Sequence, residues 1–236
     1  MNAIVAEFVG SALLIVFGNG VVANVVLDKS KGQNSGWIVI AWGWAIAVFI
    51  AVYCVGRFSG AHLNPAVSFA MAVTGKLSWA LLPQYVCSQL AGCMMGAGLV
   101  WVVYRDHFNT TTQPEAIQAC FCTAPAIYKP WQNFITEALA SLIFILAILL
   151  LTAPTSGLGS LEALPVALLV LGIGLSLGGP TGYAINPARD LGPRIMHAIL
   201  PIQHKSGSSW HYAWVPVAGP LAGAYAAVII HSFLIV

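Results

Sequence analysis

Long apolar runs dominate this sequence and restrict what it can fold into. A helix that spans a bilayer needs about 20 predominantly apolar residues. Only 7% of the 236 residues are charged. Soluble proteins carry about 25%, so this chain has too little polar material to cover a soluble fold. The sequence therefore predicts an all-α membrane protein with six transmembrane helices, at roughly 4–27, 37–55, 81–104, 132–152, 162–179 and 211–235.

Two shorter segments, at 64–74 and 186–197, open with the same tripeptide. At about 1.5 Å per residue, each helix reaches only about 15 Å, which is half the thickness of the hydrocarbon. Asn is a preferred N-cap, and Pro is a preferred first residue of a helix. We therefore predict two re-entrant half-helices, started by Asn64, Pro65 and Ala66 in one case and by Asn186, Pro187 and Ala188 in the other.

The two halves of the chain share three landmarks in the same order. Each half contains three spanning segments, and an odd number of crossings inverts the second copy in the membrane. We therefore predict one domain over 1–236, with inverted repeats at about 1–110 and 131–236 joined by a long loop at 105–131. The matched stretches are AEFVGSALLIVFG with TEALASLIFILAI, GAHLNPAVSFA with GYAINPARDLG, and QLAGCMMGA with PLAGAYAAV.

An inverted repeat brings the two half-helices together, N-terminus to N-terminus, near the midplane of the membrane. Their partially positive ends disfavour cations there, and the Asn amides point hydrogen-bond donors at whatever passes. Non-helical backbone at this depth is tolerated only where protein or water satisfies it, so carbonyls before each Asn are predicted to line a water-filled path. These pore-lining residues are Gly60, Ala61, His62, Leu63, Gly182, Ala184 and Ile185.

The paired Asn-Pro-Ala boxes, six spans and inverted repeat resemble the major intrinsic protein (aquaporin) family over essentially the whole chain. The resemblance implies a passive, multi-pass channel of the cell membrane with both termini cytoplasmic. It also implies a homotetramer with one pore per subunit. No cofactor, metal or enzymatic activity is implied, and a net charge of +2 is too small to suggest a nucleic-acid partner.

In this family a constriction selects solutes. It is formed by a residue on the second span, one on the fifth, one in the second re-entrant loop, and an Arg. Counting from the Asn-Pro-Ala boxes places this filter at Trp44, Gly174, Tyr183 and Arg189, a set that resembles the glycerol-facilitator branch. Phe is common where this chain has Tyr183, whose hydroxyl we expect to make the filter narrower and more polar. Trp42 competes with Trp44, since residues two apart face roughly opposite sides of a helix.

Four charged residues are interpreted as structural support. Glu7 and Glu137 lie at matched positions, and we expect them to bond the unpaired backbone of the re-entrant loops; a proton relay is the alternative. Asp190 and Arg194 follow the pore arginine and are predicted to support the second loop.

The expected function is passive conduction of glycerol, other small uncharged solutes and water, with ions and protons excluded. A mainly water-selective channel is the first alternative, and Gly174 argues against it because a wide filter admits polyols. A proton-coupled secondary transporter that uses Glu7 or Glu137 is the second. An intramembrane enzyme would need a nucleophile–base pair at helical spacing, which the sequence lacks.

The distribution of basic residues conflicts with the implied orientation. With both termini cytoplasmic, the inner loops carry only Arg57 and Lys76, and the outer side carries more basic residues. The excess of Lys and Arg on cytoplasmic loops predicts the reverse. Because several of the outer basic residues lie on re-entrant elements or in the long loop, this count carries less weight, and the expectation remains that both termini are cytoplasmic.

Overall fold

The structure is a computed structural model that describes residues 1–151 and 161–234. The stretch 153–160 is rich in Gly, Ser and Pro, which predicts a turn, and it lies outside these residues. Within the described parts of the chain the regular elements are helical, and no strand is present. The α-helices are α1 (Ala3–Val26), α2 (Trp37–Ser59), α3 (Pro65–Val73), α4 (Leu82–Val103), α5 (Arg105–Thr110), α6 (Pro114–Ala119), α7 (Pro130–Leu150), α8 (Leu164–Ser176), α9 (Pro187–Ile199) and α10 (Val215–Leu234).

Five helices are long and apolar enough to cross a membrane, which confirms five of the six predicted spans. The exception is α8, which has 13 residues where a span over 162–179 was predicted. Pro165 lies in its first turn, and Gly178 and Gly179 follow its last residue closely. Proline and glycine both disfavour continuation of a helix, so local sequence sets both ends. At about 1.5 Å per residue, α8 is about 20 Å long.

The two half-helices, α3 and α9, begin at the predicted residues. Asn64 and Asn186 have extended backbones, and their side-chain oxygens accept hydrogen bonds from the N–H groups of Ala66 (2.9 Å) and Ala188 (3.0 Å). The Pro of each box occupies the first helical position, where its missing N–H costs nothing. Both predicted N-caps are confirmed.

The helix pairs α1–α4 and α7–α10 pack in the same way. A Cβ at Gly92 of α4 would lie 2.2 Å from the carbonyl oxygen of Phe8. A Cβ at Gly223 of α10 would lie 2.2 Å from the carbonyl oxygen of Ala138. Only glycine permits so close an approach of two helix backbones. The equivalence of these contacts fits the predicted inverted repeat.

The connection between the halves, predicted as a loop, contains two short helices, α5 and α6. Asp106 and Glu115 lie in their first turns, and Pro114 opens α6. Acidic residues complement the partial positive charge of a helix N-terminus, and proline suits the first helical position. Phe108 and Phe121 are fully buried, with ring centroids 5.4 Å apart. The connection therefore packs back onto the helix bundle.

Candidate solute pore

Two cavities share a boundary of three side chains. The central cavity, of about 350 Å³, is lined by both re-entrant segments and by apolar residues of α2, α7 and α8. The vestibule, of about 330 Å³, is lined by α1, the first half of α2, α6 and residues 122–124. Trp44, Tyr183 and Arg189 border both cavities. Three of the four predicted filter residues therefore lie where the cavities meet.

The walls of the vestibule carry little charge. Glu115 and Arg189 are the charged residues among the described residues that line it. Burial raises the pKa of the Cys122 thiol, which also borders the vestibule, to about 12. This thiol is therefore neutral at physiological pH.

The ring of Trp44 lies beside the guanidinium of Arg189. The Cζ atom of Arg189 is 4.1 Å from the ring centroid, which is a cation–π contact. Trp44 is 4% exposed, whereas Trp42 is 49% exposed and borders neither cavity. Of the two tryptophans, the structure thus brings Trp44 to the constriction. The described residues place no hydrogen-bond acceptor on the Arg189 guanidinium, so its N–H donors remain available to a solute.

Gly174 borders neither cavity and instead leaves room for Tyr183. A Cβ at Gly174 would lie 3.0 Å from the phenol oxygen of Tyr183. The Gly174 carbonyl accepts a 2.9 Å hydrogen bond from Nε1 of Trp37, whose ring meets that of Tyr183 edge-on at 5.8 Å. The Tyr183 hydroxyl is buried and has no hydrogen-bond partner in the described parts of the chain. Tyr183 therefore narrows the constriction mainly by its volume.

The two Asn-Pro-Ala boxes bond directly to each other's segment. Nδ2 of Asn64 donates to the carbonyl of Ile185, and Nδ2 of Asn186 donates to the carbonyl of Leu63, both at 2.8 Å. An amide nitrogen carries two hydrogens, so each Asn keeps one donor for a solute. Both Asn residues border the central cavity. The cross-bonds also occupy two of the carbonyls that were predicted to line the pore.

The predicted pore-lining backbone adopts an unusual conformation. Six of the seven residues border the central cavity, and Gly182 borders the vestibule. A positive φ costs a non-glycine residue on the order of 1–3 kcal/mol and persists only where its surroundings enforce it. The non-glycine residues with positive φ in these segments are Ala61 (48°), Leu63 (51°), Tyr183 (38°) and Ile185 (42°).

Buried carboxylates hold both strained segments. The side chains are at most 1% exposed and accept backbone hydrogen bonds, the contact expected from the sequence. Neither carboxylate borders the central cavity or the vestibule. The bonds run to Glu7 from the N–H groups of His62 (3.0 Å) and Leu63 (2.7 Å), and to Glu137 from those of Ala184 (3.0 Å) and Ile185 (2.9 Å).

Glu7 has further partners that sequence reasoning missed. It also accepts hydrogen bonds from Oγ of Ser59 (2.6 Å) and Nε2 of Gln89 (2.7 Å). Gln89 donates in addition to Oγ of Ser68 (2.9 Å), which contacts Nδ1 of His62 (3.1 Å). A polar Gln in the middle of an apolar span was the signal available in the sequence, because a buried amide needs partners.

Asp190 and Arg194 form an ion pair one turn apart on α9. The closest N–O distance is 2.7 Å, and both side chains are fully buried. Asp190 accepts from the N–H (2.7 Å) and hydroxyl (2.6 Å) of Thr123. Arg194 donates to the carbonyls of Thr123 (2.9 Å) and Ser208 (2.8 Å). The pair therefore ties α9 to the α6–α7 connection and to the loop before α10.

Comparison with known proteins assigns the family. The family model for major intrinsic proteins matches residues 1–231. This chain belongs to the major intrinsic protein family. Among similar members, a probable glycerol uptake facilitator protein of Thermotoga maritima is 50% identical over 234 residues, covering 99% of this chain and 100% of that protein. A glycerol uptake facilitator protein of Streptococcus pneumoniae is 49% identical over 234 residues, covering 98% and 99%.

A solved structure supports the same conclusion. The X-ray structure of the aquaglyceroporin from Plasmodium falciparum superposes with a TM-score of 0.86 at 27% identity, covering 99% of this chain and 96% of that chain. The likeness confirms the predicted aquaporin fold. As a member of the major intrinsic protein family, the chain is a multi-pass membrane channel and not an enzyme.

Proposed function

We propose that this protein is a passive channel for glycerol and other small uncharged polyols, that water follows the same path, and that ions and protons are excluded. The observation that carries the proposal is the boundary between the two cavities, formed by two aromatic rings and one guanidinium. The relatives at 50% and 49% identity are named glycerol uptake facilitators, which supports the same solute class.

The boundary suits a molecule with one apolar and one polar edge. The rings of Trp44 and Tyr183 offer apolar surface to the carbon-bound hydrogens of a polyol. Arg189 offers N–H donors to its hydroxyl groups, which replace part of the water that the solute loses there. Beyond the constriction, Asn64 and Asn186 supply the next donors, so a polyol meets hydrogen-bond donors at the constriction and again at the junction of the half-helices.

The constriction offers cations no groups that replace the water molecules they would lose. The N-termini of α3 and α9 and the Arg189 guanidinium oppose cations. The described lining of the central cavity contains no carboxylate. Glu7 and Glu137 lie outside both cavities and bond the backbone, and Glu115 is the carboxylate in the described lining of the vestibule. A proton-coupled transporter would therefore have no carboxylate in the described lining beyond the constriction.

We also infer the assembly and placement that are typical of the family: a homotetramer with one pore per subunit, in the cell membrane, with both termini cytoplasmic. Apolar side chains such as Phe17, Trp42 and Ile46 are exposed on α1 and α2, where lipid or neighbouring subunits cover them. Native mass spectrometry tests the tetramer, and a monomer contradicts it. Protease cleavage of terminal tags in intact cells tests the orientation, and cleavage from outside contradicts it.

Stopped-flow light scattering of proteoliposomes in a glycerol gradient tests the solute. We expect glycerol permeability well above that of protein-free liposomes, whether or not a pH gradient is present. Fast water flux without glycerol flux contradicts the proposal and supports the water-selective alternative. Glycerol uptake that requires a pH gradient contradicts it and supports the transporter.

Two tryptophan variants make this test specific to the constriction. Trp44→Ala removes one wall of the boundary, so polyols longer than glycerol should enter. Trp42→Ala removes a ring from the exposed face of the same helix and should leave the solute range unchanged. Equal behaviour of the two variants would show that Trp44 does not select solutes.

A further inference from the structure

A glycine on α1 lies directly behind the largest ring of the constriction. A Cβ at Gly18 would lie 2.3 Å from Cζ3 of Trp44 and 2.5 Å from both Cε3 and Cη2. Real Cβ atoms essentially never approach another heavy atom within 3.0 Å, and ordinary contact begins at 3.4 Å. The ring of Trp44 therefore occupies space that any side chain at position 18 would fill.

The Trp44 ring has cavity space beside it. Trp44 is 4% exposed, and it borders both cavities, so the free space beside it is cavity space. A methyl group at position 18 requires a shift of about 1.1 Å, from 2.3 Å to the 3.4 Å of ordinary contact. Such a shift moves the ring into the opening that it shares with Arg189, whose Cζ lies 4.1 Å from the ring centroid.

We propose that Gly18 is a specificity-determining positioning residue. The lack of a side chain at this position sets how far Trp44 recedes from the path, and hence the width of solute that passes. The proposal rests on the proposed glycerol conduction, because it names a residue that tunes the same constriction from behind. Gly18 itself borders neither cavity, so it acts only through Trp44.

The second aromatic wall is supported in a similar way, which strengthens the inference. A Cβ at Gly178 would lie 2.4 Å from Cδ1 of Tyr183, and one at Gly174 would lie 3.0 Å from its phenol oxygen. A Cβ at Gly178 would also lie 2.7 Å from the backbone oxygen of Gly174, so a substitution there disturbs the main chain as well. Gly18 meets only the Trp44 ring among its nearest neighbours and is therefore the cleaner test.

The test compares three Gly→Ala variants in proteoliposomes. In Gly18→Ala we expect glycerol permeability to fall about tenfold, equal to about 1.4 kcal/mol in the barrier. Water permeability should fall at most about twofold, because a water molecule is narrower than glycerol.

Two of the variants are controls. Gly20→Ala adds a methyl to the same helix with nothing within 4 Å, and Gly43→Ala adds one that would lie 2.5 Å from Cγ1 of Val21. Gly43→Ala thus crowds the α1–α2 contact away from both cavities, and both controls should keep the wild-type ratio of glycerol to water permeability.

A smaller ring at position 44 should rescue the defect. The double variant Gly18→Ala/Trp44→Phe is expected to regain the permeability ratio of Trp44→Phe alone, because the shorter ring leaves space for the methyl. An unchanged ratio in Gly18→Ala, or the absence of rescue, overturns the proposal. If Gly18→Ala fails to assemble and the double variant assembles, the clash lies with the Trp44 ring, as proposed. If neither variant assembles, the methyl clashes with a group other than the Trp44 ring, and the proposal fails.

The position of the ring supplies a measurement that does not depend on transport. A crystal structure of Gly18→Ala should show the Trp44 ring displaced away from residue 18 by about 1 Å, the distance that relieves the clash. A ring in its wild-type position overturns the proposal. If the wild-type protein proves impermeable to glycerol, the proposed solute is wrong, and the structure of the variant still decides whether Gly18 positions Trp44.

Discussion

The two re-entrant segments, 60–73 and 182–199, adopt similar backbone conformations but carry different side chains. The first glycines, Gly60 and Gly182, have φ values of 79° and 81°. Each segment is held by a buried carboxylate from the first helix of its own half. Each Asn caps its half-helix and donates to the other segment at 2.8 Å. The shared features therefore build the junction between the half-helices.

The segments differ most around the constriction. Three residues after Asn64 stands Val67, and three residues after Asn186 stands Arg189. The next residues are Ser68 and Asp190, of which only Asp190 takes part in a buried ion pair. The two segments thus share the contacts at the centre, and the proposed solute filter lies where the second segment departs from the first.

Removal of Asp190 should have the largest effect. Asp190→Ala leaves Arg194 buried without its carboxylate, and breaking such a pair costs about 3–5 kcal/mol. The matched control, Ser68→Ala, removes a hydroxyl that bonds Gln89, which is worth about 1 kcal/mol. Thermal unfolding in detergent should show a much larger loss for Asp190→Ala. Equal losses would mean that the ion pair does not hold α9 in place.

The two carboxylates should prove unequal although their backbone contacts match. Glu7 accepts four hydrogen bonds, two at each oxygen, so Glu7→Gln removes the charge from all four. Glu137 accepts one backbone hydrogen bond at each oxygen and has the Thr181 side chain beside it, so Glu137→Gln removes the charge from fewer bonds. A hydrogen bond to a charged group is worth about 1.5–3 kcal/mol. We expect the melting temperature to fall further for Glu7→Gln, and the opposite order contradicts the assignment of these bonds.

Arg189→Val gives the second segment the residue that the first segment has at the equivalent position, Val67. Arg189→Val removes the charge and the donors at the constriction, so glycerol should lose its advantage over an apolar solute of similar width. Hydrogen bonds to a charged group are worth about 1.5–3 kcal/mol, so the permeability ratio should change by about tenfold or more. Stopped-flow measurements with both solutes test this. Leakage of protons, followed with a pH-sensitive dye, should rise in the same variant.

The smallest effect is expected from the Tyr183 hydroxyl. This oxygen is buried and has no hydrogen-bond partner among the described residues. Tyr183→Phe removes an unsatisfied polar group, which costs about 1–3 kcal/mol when left buried. The variant should therefore be as stable as the wild type or slightly more stable, with glycerol permeability unchanged. A clear loss of glycerol flux would show that the hydroxyl contacts the solute.

Local signals predicted the helices well because each depends on neighbouring residues. Five spans and both half-helix N-caps follow from apolar length and from Asn-Pro steps. The limits of α8 were missed because the prediction rested on the length of the segment and gave no weight to Pro165 and Gly178, which mark them. The helices α5 and α6 were missed because they are too short for a hydrophobic period to appear.

Contacts between residues that are far apart in the sequence could not be predicted from local patterns. Trp42 and Trp44 differ by two positions, and only the packing of α2 decides that Trp44 is 4% exposed and Trp42 49% exposed. Gln89 meets Glu7, and Gly18 meets Trp44, because α1 crosses α4 and α2 at particular points. Neither crossing can be read from the side chains on one helix alone.

By itself, the sequence determined that the chain crosses a membrane, that two half-helices start at Asn64 and Asn186, and that polar groups gather beside them. These properties depend on the free energy of burying apolar side chains and on capping, which act over a few residues. Only the tertiary structure decided which side chains meet at the constriction and which residues pack behind those side chains. A shift of about 1 Å in the Trp44 ring changes that opening, and the position of the ring is set by helix packing, where small residues let backbones approach.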